Sequence, residues 1–190
     1  MRIILSLLIC FIITLPPINF AEEIKGSPDT EITYTRKIPG IGSLTFPKEL
    51  EFLLIRENSE SIYHFLVNHN GTWRTSQVYF SPPFTGIFRN NIKDNSNFID
   101  AVISGFALKL INTSSTSGLL QNTPIDLLAL SNEPSIIKST TVLHNRRAMH
   151  FDYYAIDSTE GIRLLSVLSV DSDRDYWRQT ISNVIANIQR

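Results

Sequence analysis

The chain has 190 residues, a formal net charge of −1, 43% hydrophobic residues, 18% charged residues and one cysteine. With near-neutral charge and no Lys/Arg cluster larger than Arg146-Arg147, nothing in it favours a nucleic-acid or anionic-membrane surface. A lone cysteine excludes disulfides within the chain and cysteine-ligated zinc or iron–sulfur sites.

Residues 1–21 read as a cleavable secretory signal peptide. Arg2 is the basic start, the run from Ile3 to Leu15 is apolar except for Ser6 and Thr14, and Ala21 precedes Glu22-Glu23. A short apolar run between a basic start and a small residue is the layout of an export signal. The run is shorter than the about 20 residues of a spanning helix. Cys10 lies inside this run, so the mature chain has no thiol. The expected product is exported, periplasmic or extracellular, with a flexible polar tail at 22–31 and one domain at 32–190. Its only route to a membrane is an uncleaved signal.

Within the domain, Ile32 to Ile38 alternates with period two and predicts a strand, closed by Pro39-Gly40. Ser43 to Phe46 is a short strand stopped by Pro47. Leu50 to Arg56 and Ser61 to Val67 are two more, around a polar turn. Asn70-Gly71 then marks a hairpin, because Asn-Gly supplies the positive φ angles that such turns need. Thr72 to Phe80 is the returning strand, so the amino-terminal half reads as a meander. Ser81-Pro82-Pro83-Phe84 breaks the sheet.

Ser96 is positioned to cap a helix from about Asn97 to Ile111, whose apolar residues Ile99, Val102, Ile103, Phe106 and Leu110 recur at helical spacing. Between 119 and 135 the pattern fits either a buried strand or a helical turn at Ile125 to Leu130. Ile136 to Leu143, a turn at His144-Asn145 and Ala148 to Asp157 form a hairpin, and Ile162 to Val170 follows. These last two strands are apolar on both faces, as central covered strands are. Ser172 and Asp175 make a capping box. The helix behind it buries Trp177, Ile181, Val184 and Ile188 and turns Arg178, Ser182 and Asn183 to water. The expected fold is α+β, an antiparallel β-sheet flanked by helices, with two main helices at about 97–111 and 173–189.

The short strand ending in Phe46-Pro47, the mid-chain helix and three late strands running into a helix with Ile185-Ala186-Asn187-Ile188 resemble the PsbP- and DcrB-like domains. That resemblance implies an exported, non-enzymatic accessory or binding protein.

The candidate sites are few. Asp171, Asp173 and Asp175 alternate like the start of a calcium loop, but Tyr176 and Ser182 stand where Gly and Glu are required; the acids read instead as helix-capping groups. His64, His69, His144 and His150 form no ligand motif, so no metal and no cofactor is expected. No nucleophile elbow, phosphate loop or dinucleotide fingerprint is present. His150 and Asp152 share a strand face and mark the alternative reading, a hydrolase or small-ligand enzyme with a dispersed site. The favoured reading is partner binding through Phe84, Phe88 and Arg89, on a proline-rich segment, and Trp73 beside the Asn-Gly turn. Aromatic and arginine side chains on loops are common interface anchors. The partner expected is a protein of the cell envelope, not a nucleic acid.

Overall fold

The computed structural model describes residues 33–47, 51–57, 61–69, 72–112 and 117–190; the expected signal peptide and tail, and the turn residues Asn70 and Gly71, lie outside them. The fold is α+β and its sheets are antiparallel. The strands are β1 (Thr33–Ile38), β2 (Gly42–Pro47), β3 (Glu51–Glu57), β4 (Ser61–His69), β5 (Thr72–Phe80), β6 (Phe84–Thr85), β7 (Gly118–Asn122), β8 (Ile136–His144), β9 (Arg147–Ser158) and β10 (Gly161–Val170). The α-helices are α1 (Ser96–Asn112), α2 (Leu127–Ser131) and α3 (Arg174–Ala186).

The main sheet runs β3-β4-β5-β10-β9-β8-β7. β6 also pairs with β10, beyond the end of β5. The prolines therefore do not end the sheet. Pro82 and Pro83 lack the donor a ladder needs, so the chain lifts off β10 after Ser81, whose N–H still donates to the Leu164 carbonyl at 2.9 Å, and returns at Phe84.

Among the described strands, β1 and β2 pair with each other and join none of β3 to β10, which corrects the reading of a single amino-terminal meander. Their hairpin, with α3, covers one face of the main sheet. Ile38, Leu44 and Phe46 pack there with Trp177, Ile181, Val184 and Ile185 against Val78, Phe80, Tyr154, Ile156, Leu165 and Val167. α1 and α2 cover the other face, where Ile99, Ile103 and Leu130 meet Ile137, Tyr153, Ala155, Ile162 and Leu164. β9 and β10 supply both cores, which is why their sequences are apolar on both sides.

Local details depart from the sequence reading in four places. Ser96 does not cap α1: its hydroxyl donates back to the Lys93 carbonyl at 2.9 Å, and the Asn95 carbonyl accepts the Ile99 N–H at 3.1 Å. The ambiguous stretch resolves into the edge strand β7 and the helical turn α2, which Asp126 caps by accepting the N–H groups of Leu128 and Ala129. No capping box opens α3. A 3-10 turn at Asp171–Asp173 leads into it, and the Asp173 carboxylate accepts from Arg74 and Ser172 instead. Finally, Arg178 does not turn fully to water; its guanidinium reaches back to Asp152 on the sheet. The β8–β9 turn is made by Asn145 and Arg146, both at positive φ (49° and 64°).

Candidate functional site

The segment from Phe80 to Asn91 is held from several sides. The Ser81 hydroxyl accepts the Leu164 N–H at 2.9 Å, and Arg163 donates to the Ser81 carbonyl at 2.6 Å. Gly161 sits at φ 144° with its α-carbon against the Phe84 carbonyl, leaving no space for a side chain. Ile87 is buried, and its N–H donates to the Phe84 carbonyl at 2.9 Å.

Arg89 is the main strut. Its Nε donates to Asp157 at 2.8 Å and its Nη2 to the Ala155 carbonyl at 3.2 Å. It also donates to the Leu130 carbonyl and the Glu133 carboxylate. A guanidinium so engaged positions the loop; it is not a free anchor for a partner. Phe84 is half-buried, edge-on to Phe98 at 5.9 Å between ring centroids. Phe88 remains 42% exposed. Trp73 pairs with Asn68 across β4 and β5, on the far side of β5 in sequence from the proline segment; its side chain lies outside the described residues.

α1 lies beside this segment. Ile99, Ile103 and Ala107 form its buried edge. Phe98, Val102 and Phe106 recur at the same four-residue spacing one position earlier, and they are 54%, 40% and 40% exposed. Phe106 stacks on Tyr79 with parallel planes at 6.3 Å and stands edge-on to Phe151 at 6.1 Å. A groove of about 300 Å³ lies between α1 and the β5–β6 segment. Tyr79, Pro82, Phe84, Val102 and Phe106 wall it, with Tyr153, Leu164 and Ser166 on its sheet side. No charged side chain lines it among the described residues. A larger cleft of about 490 Å³, at Glu133, Pro134, Ile185, Ile188 and Arg190, is open and mixed in character.

His150 and Asp152 do share a face, the one under α3, but their polar atoms are already engaged. Asp152, 2% exposed, accepts from Arg178 at 2.8 and 2.9 Å and from Arg174 at 3.0 and 3.3 Å. The Ser139 hydroxyl donates to it as well. Burial alone would raise its pKa; the hydrogen bonds of Arg178, Arg174 and Ser139 overcome that and hold it at about 2. The same carboxylate raises the pKa of Arg178. His150 meets Asp171 through Nε2 and the Thr141 hydroxyl through Nδ1, the latter at 2.9 Å. A buried carboxylate held near 2 is neither acid nor effective base at neutral pH, so this cluster is built to join α3 to the sheet.

The sequence reading missed Phe98, Tyr79 and Tyr153. Phe98 carried a usable signal: two adjacent apolar stripes on one helix make a face wider than a core requires. The other face of α1 is fastened by Lys138, nearly fully buried, which donates to Asp100 and to Ser104. Among the described residues, no group of three or more His, Cys, Asp or Glu side chains could hold a metal ion. Nor is any described helix long and apolar enough to cross a membrane. The chain matches no protein-family model, and no curated protein matches it in sequence.

Proposed function

We propose that this chain is an exported, non-enzymatic accessory or binding protein of the cell envelope that works through the apolar face of α1 and the Pro82–Phe88 segment. One observation carries the reading: large apolar side chains, Phe98, Val102 and Phe106 on one stripe of α1 and Phe88 on the neighbouring segment, stay exposed. Exposed aromatic groups on a rigid frame are what protein interfaces use as anchors. The basic start and apolar run of residues 1–21 support export. The resemblance to PsbP- and DcrB-like domains supports an accessory role. Arg89, in this reading, holds the face in place and does not touch the partner.

The test is crosslinking in the native host with a photoreactive residue at Val102, 40% exposed on that stripe, followed by mass spectrometry of the adduct and of the mature amino terminus. One reproducible envelope protein, lost in the Phe88→Ser/Phe98→Ser double variant with the melting temperature unchanged, is the expected result, with Glu22 at the amino terminus. Capture indifferent to the double variant would overturn the role of this face, and an amino terminus at Met1 would overturn cleavage.

A further inference from the structure

The groove beside α1 has a polar feature that an apolar docking face does not require. Two hydroxyl-bearing residues on neighbouring strands line its sheet side, Tyr153 on β9 and Ser166 on β10, and Thr140 on β8 stands behind them in the same row. Tyr153 is 3% exposed, Ser166 5% and Thr140 fully buried. The Thr140 and Ser166 hydroxyls approach that of Tyr153, yet the oxygens of Thr140 and Tyr153 close no hydrogen bond of ordinary geometry. Buried polar groups are nearly always paired, so the hydroxyl row is incompletely satisfied at Tyr153, a residue that lines the groove. Burial pushes the Tyr153 phenol up to about 12, which keeps it neutral. Ser166 is the member of the row that lines the groove with Tyr153.

We infer that the groove binds a small uncharged aromatic molecule carrying one hydrogen-bonding oxygen, with its ring among Tyr79, Phe84 and Phe106 and its oxygen on Ser166. The volume of about 300 Å³ lies at the lower end of small-molecule sites, about 300–1,000 Å³. The absence of charge in the described lining selects a neutral ligand, because an ion there would lose its hydration without compensation. The aromatic lining selects a ring over a flexible chain, since rings gain from edge-to-face and offset contacts beyond their area. Because hydroxyl groups swivel, the row serves either a ligand donor or a ligand acceptor. The inference rests on the proposal that this face is a binding surface, and it adds a small ligand to the protein partner.

The experiment is a fluorescence titration of the purified full chain with 2-naphthol, naphthalene and 2-naphthoate, and calorimetry with 1-decanol. 2-Naphthol should bind saturably with one site per chain, and 2-naphthoate at least about tenfold more weakly. Ser166→Ala should weaken 2-naphthol about five- to tenfold and leave naphthalene unchanged. Val102→Trp, which fills the groove from a half-exposed helix position, should abolish both while the protein still melts as the parent does. No saturable naphthol binding, binding indifferent to both variants, or tighter binding of 1-decanol would each overturn the inference. Partner capture that persists without naphthol binding removes only this site; naphthol binding without partner capture removes only the protein-partner reading.

Discussion

Asp152 is an anion inside the protein, tolerated because two guanidinium forks and a hydroxyl replace its water. Its folded pKa, about 2 where an ordinary aspartate has 3.8, gives stability that is complete above about pH 4 and disappears as the pH falls through about 2. The shift corresponds to about 2 kcal/mol. Urea unfolding measured from pH 7 down to pH 2 should show that decline, and Asp152→Asn should flatten it. At pH 7, Asp152→Ala should cost about 3 kcal/mol by leaving two arginines without their carboxylate; a cost below about 1 kcal/mol would mean that solvent replaces it. The strand position of Asp152 was legible, since period two places it beside His150. Its partners were not. Arg174 and Arg178 lie one helical turn apart on what reads as a solvent face, and only the docking of α3 on the sheet brings them to Asp152. The partners of Arg89 were illegible for the same reason: only the fold brings Asp157, Glu133 and two carbonyls around a charged loop residue.

Local turn chemistry decides more of the elements than propensity does. The strands that end at Pro-Gly, Asn-Gly or Glu-Gly were legible, and the β8–β9 hairpin was found within a residue or two. Its turn uses Arg146 at φ 64°, where a side chain with a β-carbon is held in the left-handed region. Replacing it with glycine should raise stability by about 1 kcal/mol, because that region costs an L-residue roughly 1–2 kcal/mol. Thermal melting should rise by about 2–4 °C; no rise would mean that the Arg146 side chain makes up the difference. Gly161→Ala belongs to the opposite case. A methyl group would meet the Phe84 carbonyl at a φ that glycine alone adopts freely, and a loss of about 2–4 kcal/mol is expected in the same assay. β7 and α2 were less legible: each is five residues long, too short for either period to declare itself. The starts of α1 and α3 were legible within a residue, but their caps were not, because the Ser96 and Ser172 hydroxyls turn to the Lys93 carbonyl and the Asp173 carboxylate.

Over the described fold, the double-sided apolar pattern of β9 and β10 announced a sheet covered on both faces, and that layering is what α1, α2, α3 and the β1–β2 hairpin provide. Which strand pairs with which was not legible. Alternation in β1 and β2 looks the same as in β3 to β5, and partner choice depends on contacts far away in the chain. The β1–β2 hairpin is fastened at its far end by a bridge between Ser43 and Gln189, with backbone hydrogen bonds of 2.7 and 3.0 Å. Removing residues 187–190 should therefore speed amide exchange at Ser43 and along β2, while Ile103 and its neighbours on α1 keep their protection. Equal loosening of both would mean that the two covers of the sheet open as one unit.

That bridge also sets an order of events in synthesis. β5 pairs early with β4 but finds its second neighbour only when β10 exists, and the first hairpin gains its bridge to Gln189 only when residue 189 has been made. A chain leaving the ribosome amino end first thus holds an open edge at β5 until β10 is made. No long amino-terminal portion can close into the finished structure ahead of time. Early portions of the chain hold local hairpins alone, β1–β2 and β3–β4–β5, and it is β10 that draws them into one covered sheet.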